Sequence, residues 1–213
     1  MIVLQVYDVI FLENYLDCNN TDMKNFKRAF WNAIIVIFPG DGKKRTEFIR
    51  KHHLFGSIGN NCNIQQRKIP LCSELIYLHN NVRIASNVGF GVHDGIHKML
   101  NNKYETQDFI ERVGCIEIMD NVFIGSRTVI LYNTKIGNNV IIGSNSLVNK
   151  DIPDNSVYAG IPARFICTFD DYVKKAREYS ESVKELYGID LMPPMNKELA
   201  YKIHENFLKE RNK

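Results

Sequence analysis

The sequence predicts an all-β core wound as a parallel β-helix, a three-sided prism of short strands, with α-helical appendages at both ends. Three observations predict it. Counting in sixes from Ile118 meets Ile118, Ile124, Ile130, Ile136, Ile142 and Val148, a β-branched aliphatic at every step. A companion stripe, Val122, Thr128, Thr134, Val140, Ser146 and Ile152, runs in phase four residues later and is again mostly β-branched or small. Glycine follows the first stripe at Gly125, Gly137 and Gly143. Neither an α-helix nor a plain strand has a period of six, whereas a strand that turns a corner every six residues does.

The stripe residues are expected to point into the prism, each packing on its equivalent one coil below. Three sixes close a coil, so residues 18 apart should stack at the strand spacing of about 4.8 Å. The repeat glycines are expected to permit the tight corners. Asn121, Asn138 and Asn139 are expected to take the turn dihedrals, which asparagine tolerates.

Composition bounds the rest. The chain has 213 residues, 45% hydrophobic and 24% charged, ordinary values for a soluble globular protein. A formal charge of +3 gives no case for nucleic acid. The five cysteines, Cys18, Cys62, Cys72, Cys115 and Cys167, make no C-x-x-C pair and are odd in number, so reduced thiols in a cytoplasmic protein are expected. Met1 to Leu12 is apolar, but it lacks a leading positive charge and holds Asp8, which makes a poor signal peptide. The apolar run from Ala33 to Phe38 is too short to span a bilayer.

In chain order, a short strand or buried helix fits Ile2 to Phe11. From Thr21, a capping residue, a helix is expected with Phe26, Phe30, Ala33, Ile34 and Ile37 on one face, ended by Pro39-Gly40-Asp41-Gly42. The basic group Lys43, Lys44, Arg45, Arg50 and Lys51 reads most simply as a solvated helix face. Its sharper readings are a contact with an anionic cofactor or polymer, and attachment to a membrane surface. The repeat first appears at Ile58 to Ile64, breaks at Arg67 to Pro70, and resumes with Leu78, Ile84 and Phe90, accompanied by Val82 and Val88. From His93 to about Arg112 the phase is lost, which predicts a loop projecting from one corner at about 93–112; such loops usually carry function. The prism closes through Asp151-Ile152-Pro153 and Ala159-Gly160-Ile161-Pro162-Ala163-Arg164. A last coil leaves an unpaired edge. A tail helix is expected to cover it, with a capping box at Thr168 and Asp171 and an apolar face of Tyr172, Ala176, Tyr179, Val183 and Leu186. Met192-Pro193-Pro194 breaks that helix, and a last one follows over about 197–210. The organisation is therefore 1–54 helical, 55–167 β-helix, and 168–213 helical.

Few residues offer chemistry. His93 and His97 open the loop with Asp94 between them, and an imidazole near neutral pH can take a proton from a hydroxyl or amine. A surface histidine without a role is the competing reading. Ser126 and Ser144 lie 18 apart and should share one edge, with Pro162 a further 18 on. A thin extended ligand could run along that edge, with Lys150 and Arg164 at its end to hold phosphates. Alternatively these small residues only make corners.

Three passages carry a family resemblance: Ile84-Ala85-Ser86-Asn87-Val88 leading to His93-Asp94-Gly95-Ile96-His97; Gly114-Cys115-Ile116-Glu117-Ile118 through Asn121-Val122-Phe123-Ile124-Gly125-Ser126; and Lys150-Asp151-Ile152-Pro153 through Gly160-Ile161-Pro162-Ala163-Arg164. Over residues 55–167 the chain resembles the hexapeptide-repeat acyltransferases with a left-handed parallel β-helix. Within them it looks most like the galactoside/maltose O-acetyltransferase group, which includes capsular and lipopolysaccharide O-acetyltransferases. The resemblance implies acetyl-CoA as co-substrate, no metal, and a homotrimer with active sites between neighbouring prisms. It implies His93 as the catalytic base. It places Phe123, Ser126 and Ser144 along the pantetheine arm, Asn149 and Lys150 on a cofactor-contacting pair, and Arg164 near the nucleotide phosphates. The implied activity is acetyl transfer to a sugar hydroxyl, with a capsule or cell-envelope saccharide precursor as an acceptor class. Val92 stands where a small polar residue usually precedes the histidine, and Cys167 where some relatives have a second basic residue. The first 54 residues lack the sugar-binding segment of the maltose and galactoside enzymes. Three alternatives remain at this point: an amine acceptor on an amino sugar or xenobiotic, a γ-carbonic-anhydrase-like metal enzyme using His79, His93 and His97, and a scaffold without catalysis.

Overall fold

A computed structural model describes residues 28–35, 41–188 and 193–212. The chain forms two compact units, Met1–Phe169 and Asp170–Lys213. The first holds the prism. Its first face is β1 (Ser57–Ile58), β3 (Ile76–Leu78), β6 (Ile116–Ile118) and β9 (Thr134–Ile136). The second is β2 (Asn63–Ile64), β4 (Arg83–Ile84), β7 (Val122–Ile124), β10 (Val140–Ile142) and β12 (Ser156–Ala159). The third is β5 (Gly89–Gly91), β8 (Val129–Leu131) and β11 (Leu147–Val148). All these pairings are parallel, as the six-residue period requires.

The two stripes are the core. Ile118, Ile124, Ile130, Ile136, Ile142 and Val148 are each 0% exposed, and all six companion-stripe residues are buried. Register pairs Ile84 with Ile124 and Ile124 with Ile142, so each side chain rests on its counterpart in the next coil.

The corners divide their work differently from expectation. Left-handed backbone falls on Asn61, Asn81, Asn121, Asn139 and Asn155, with φ between 54° and 59°. These five form a ladder at one corner, each side-chain amide donating to the carbonyl oxygen of the next at 2.8–3.0 Å. The repeat glycines have ordinary φ and answer a different need. A Cβ on Gly125 would lie 2.4 Å from the backbone nitrogen of Ser144, in the coil stacked upon it. Stacking, rather than dihedral freedom, demands glycine there.

The ladder also measures the coils. Its members are 20, 40, 18 and 16 residues apart. The first interval absorbs the Arg67 to Pro70 irregularity, and the second is one coil plus the projecting loop.

Both ends of the prism are capped. At the start, α1 (Gly42–Lys51) packs on β2, with Asp41 accepting from the Lys44 N–H at its N-terminus. Arg45, 3% exposed, donates to the carbonyls of Ile64 and Gln65 at 3.3 and 3.1 Å. Arg50 donates to those of Ile58 and Gly59, and the Thr46 hydroxyl accepts the Ile64 N–H at 2.7 Å. Two members of the basic group thus satisfy edge carbonyls of the first coil, a role that neither the solvated-face reading nor the ligand readings anticipated. At the far end, β13 (Arg164–Thr168) pairs antiparallel with β12, so a returning strand covers the last edge of the second face.

Residues 28–35 are helical as expected, but the buried positions are Trp31 and Ile35 while Ala33 is exposed. Thr21, Phe26, Ile37 and the Ile2 to Phe11 segment lie outside the described residues. Cys62, Cys72, Cys115 and Cys167 are free thiols, and Cys18 lies outside the described residues. The second unit consists of α3 (Phe169–Tyr187) and α4 (Lys197–Arg211), the latter capped by Asn196, which accepts from the Leu199 N–H. Among the described residues no helix is long and apolar enough to cross a membrane.

Candidate active site

The loop leaves the prism between the third and first faces and is an ordered excursion. At its neck the Gly114 N–H donates to the Val92 carbonyl and the Asp94 N–H to that of Arg112. Val92, 1% exposed, is a core residue holding this neck, which accounts for an apolar side chain beside the histidine. The loop contains α2 (Ile96–Tyr104). Asp94 accepts the Ile96 N–H at 3.1 Å and the Tyr132 hydroxyl at 3.0 Å, tying α2 to the prism. Asn101 closes the return path by a reciprocal pair of bonds with the backbone of Phe109.

This neck brings Glu111 to His93. His93 Nδ1 lies 2.9 Å from Glu111 Oε1, with the imidazole 26% exposed. A carboxylate oxygen is an acceptor, so this contact suits the tautomer with the proton on Nδ1. In that tautomer the lone pair is on Nε2. Glu111 was not legible in the sequence, because nothing short of the loop's return path shows which residue meets the histidine.

The serine edge exists between the second and third faces. Ser126 is half-buried and Ser144 exposed, and the Asn145 N–H donates to the Ser126 carbonyl at 2.8 Å. Ser86 extends the column, its carbonyl accepting the Arg127 N–H at 3.1 Å. The last coil is shorter, so Gly160 rather than Pro162 follows Ser144 in the stack. Arg127 occupies this corner with φ at 61° and its side chain exposed, a cation the sequence reading passed over. Phe123 is 44% exposed on β7, and Arg164 is exposed just beyond Gly160. Small hydroxyls, an exposed ring and cations along a flat corner fit an amide-bearing arm that ends in phosphates.

Asn149 and Lys150 lie elsewhere. They follow β11, at the corner between the third and first faces that also bears the loop. Lys150 is thus not at the end of the serine edge, and one chain does not bring all the candidate residues together.

The three-histidine metal set does not assemble. His79 Nε2 meets Glu117 at 3.0 Å on the first face, and His93 is held by Glu111. Among the described residues no group of three or more histidine, cysteine or acidic side chains is placed to hold a metal ion.

Beside His93 opens a cavity of about 410 Å³, lined by Arg28, Asn32, Gln66, Lys68, Leu71 and Gly89 to Gly91 among others.

A family model described as "Bacterial transferase hexapeptide (six repeats)" matches residues 116–150. The chain is 39% identical to Protein CapG of Staphylococcus aureus over 61% of its own length and 75% of that protein. It is 39% identical to the galactoside O-acetyltransferase of Escherichia coli K12 over 45% of each chain. A solved galactoside acetyltransferase in complex with coenzyme A aligns with a TM-score of 0.53 at 26% identity, covering 74% of this chain and 86% of that one. The chain belongs to the hexapeptide-repeat acetyltransferases.

Proposed function

We propose that this protein transfers an acetyl group from acetyl-CoA to a saccharide hydroxyl, with His93 as general base. The observation that carries the reading is the Glu111–His93 pair at the root of the loop. Bound acetyl-CoA supplies the activated thioester. His93 Nε2 takes the proton from the acceptor hydroxyl as its oxygen attacks. Glu111 holds the ring in the tautomer this needs and stabilises the imidazolium, which gives the proton to the CoA thiolate as the acyl C–S bond breaks. Phe123, Ser126, Ser144 and Arg164 contact the donor from one prism, and Asn149 and Lys150 from its neighbour. That division is the one expected if three copies assemble with each site shared between two. The similarity to a galactoside O-acetyltransferase supports a sugar acceptor. A capsule or cell-envelope saccharide precursor, modified in the cytoplasm where acetyl-CoA is made, is the acceptor class this reading favours.

The test mixes the protein, acetyl-CoA and a panel of sugars and amino sugars, following free thiol. His93→Ala should lower kcat on the best acceptor by about 10²- to 10⁴-fold. Glu111→Gln should lower it by about tenfold or more with little change in KM, as expected of a positioning residue. Wild-type turnover by His93→Ala would overturn the assignment of the base, and acetylation of amines alone would overturn the hydroxyl acceptor.

A further inference from the structure

Both sides of the loop's root bear on one pair of residues in the next coil. Gly91 of β5 pairs with Leu131 of β8, so Tyr132 and Asn133 stand one coil beyond the neck. On the returning side Gly114 lies against Asn133, where an added Cβ would come 3.0 Å from the Asn133 backbone nitrogen. On the outgoing side the half-buried Tyr132 donates its hydroxyl to Asp94 Oδ2 at 3.0 Å. Asp94 Oδ1 accepts the Ile96 N–H, so each carboxylate oxygen has a donor. Among the described residues, Tyr132 is the only one outside the loop that hydrogen-bonds a side chain of residues 93–113.

His93 is the neighbour of that tie. It forms an antiparallel bridge with Val113, and along such a segment successive side chains point to opposite sides. Asp94 turns toward Tyr132 on the prism, and His93 turns toward Glu111. The two backbone bonds of the neck, from the Gly114 N–H to Val92 and from the Asp94 N–H to Arg112, join its sides to each other and leave its tilt against the prism open. The Glu111–His93 contact crosses the neck diagonally, so a change of tilt or twist would stretch its 2.9 Å. A phenol donating to a carboxylate is a charge-assisted bond, strong enough to hold that tilt.

We propose that Tyr132 is a positioning residue for the transfer reaction: through Asp94 it fixes the tilt of the neck, and with it the Glu111–His93 contact that leaves Nε2 free to take a proton. The proposal rests on the reading of His93 as the base. Tyr132 moves no proton itself; it raises the fraction of time in which the imidazole is held in the working tautomer.

Turnover of the full chain with acetyl-CoA and the best sugar acceptor tests this. Tyr132→Phe removes one oxygen and keeps the ring; it should lower kcat by about tenfold and change KM for either substrate by less than about twofold. Asp94→Ala should also lower kcat, and the double variant should be no worse than the poorer single one, since both remove the same bond. Asp94→Asn can keep both contacts, its oxygen accepting from Ile96 and its amide donating to the phenol oxygen, and should recover most of the loss. A readout apart from turnover is the ¹⁵N NMR signal of His93, assigned by its disappearance in His93→Ala. With the ring neutral, wild type should show a protonated Nδ1 and a bare Nε2, and Tyr132→Phe a mixture of the two tautomers. Wild-type kcat in Tyr132→Phe, losses that multiply in the double variant, an unchanged tautomer in Tyr132→Phe, or a loss of activity that only follows a loss of folded protein in melting curves overturns the proposal. Wild-type turnover by His93→Ala would instead sink the assignment of the base; with that variant inactive, a fully active Tyr132→Phe sinks only the positioning role.

Discussion

Thr134 sits on the companion stripe 3% exposed, and its hydroxyl has no hydrogen-bond partner. Its neighbours on the stripe do better: Thr128 and Ser146 both donate to the Gly143 carbonyl. An unmet buried hydroxyl costs about 1–3 kcal/mol, and valine has nearly the same shape without it. Thr134→Val should therefore stabilise the protein by about 1 kcal/mol, raising Tm by a few degrees. An unchanged or lower Tm would show that the hydroxyl has a use. Asp154 is the opposite case, a surface carboxylate with partners. It accepts from the Asn138 side chain and backbone, which hold its pKa below the usual carboxylate value, the side-chain bond contributing most. A folded-state pKa lower than the unfolded one stabilises above the unfolded value, and the benefit is lost as pH falls through the folded one. The Tm gap between wild type and Asp154→Ala should therefore be full at neutral pH and close as pH falls below about 4. A gap that persists in acid would contradict the assignment.

At the scale of elements, the open ends of the prism are the weak points, since a parallel stack exposes unpaired backbone groups at each end. Arg45, Thr46 and Arg50 meet those of the first coil, and β13 meets those of β12 in the last. Arg45→Met keeps the apolar stem but removes the donors to two carbonyls. It should cost about 2–3 kcal/mol in chemical denaturation, while Lys44→Ala, on the exposed side of the same helix, should change stability by no more than about 0.5 kcal/mol. Equal effects would mean that α1 contributes by helix packing alone. The asparagine ladder solves a different problem at the same scale. It puts a residue that accepts left-handed backbone at each turn and uses the same side chain to tie successive coils.

For the whole molecule, the separation of candidate residues over two corners has a consequence. Ser126 and Ser144 face one way and Lys150 another, so on the proposed reading, in which all of them contact the donor, a complete site takes a second copy. Sedimentation should give a mass about three times the 24.6 kDa chain, and a monomer that acetylates sugars at full rate would refute the shared site.

Periodicity by itself determined the inward stripes, the stacked coils, the place of the loop and the existence of a serine edge, because a six-residue pattern repeats the same local demand at every turn. It also exposed His93, where that demand stops. Only the tertiary structure decided that Glu111 meets His93, that Arg45 caps an edge instead of facing solvent, that Lys150 lies away from the serines, and that Tyr132 meets Asp94 at the root of the loop. Each of these depends on how a segment outside the repeat returns to the prism or on which face a residue finally occupies. The reason is physical: a stripe records which way a side chain points, while contacts across a loop or an irregular coil are set by the path of the chain between them.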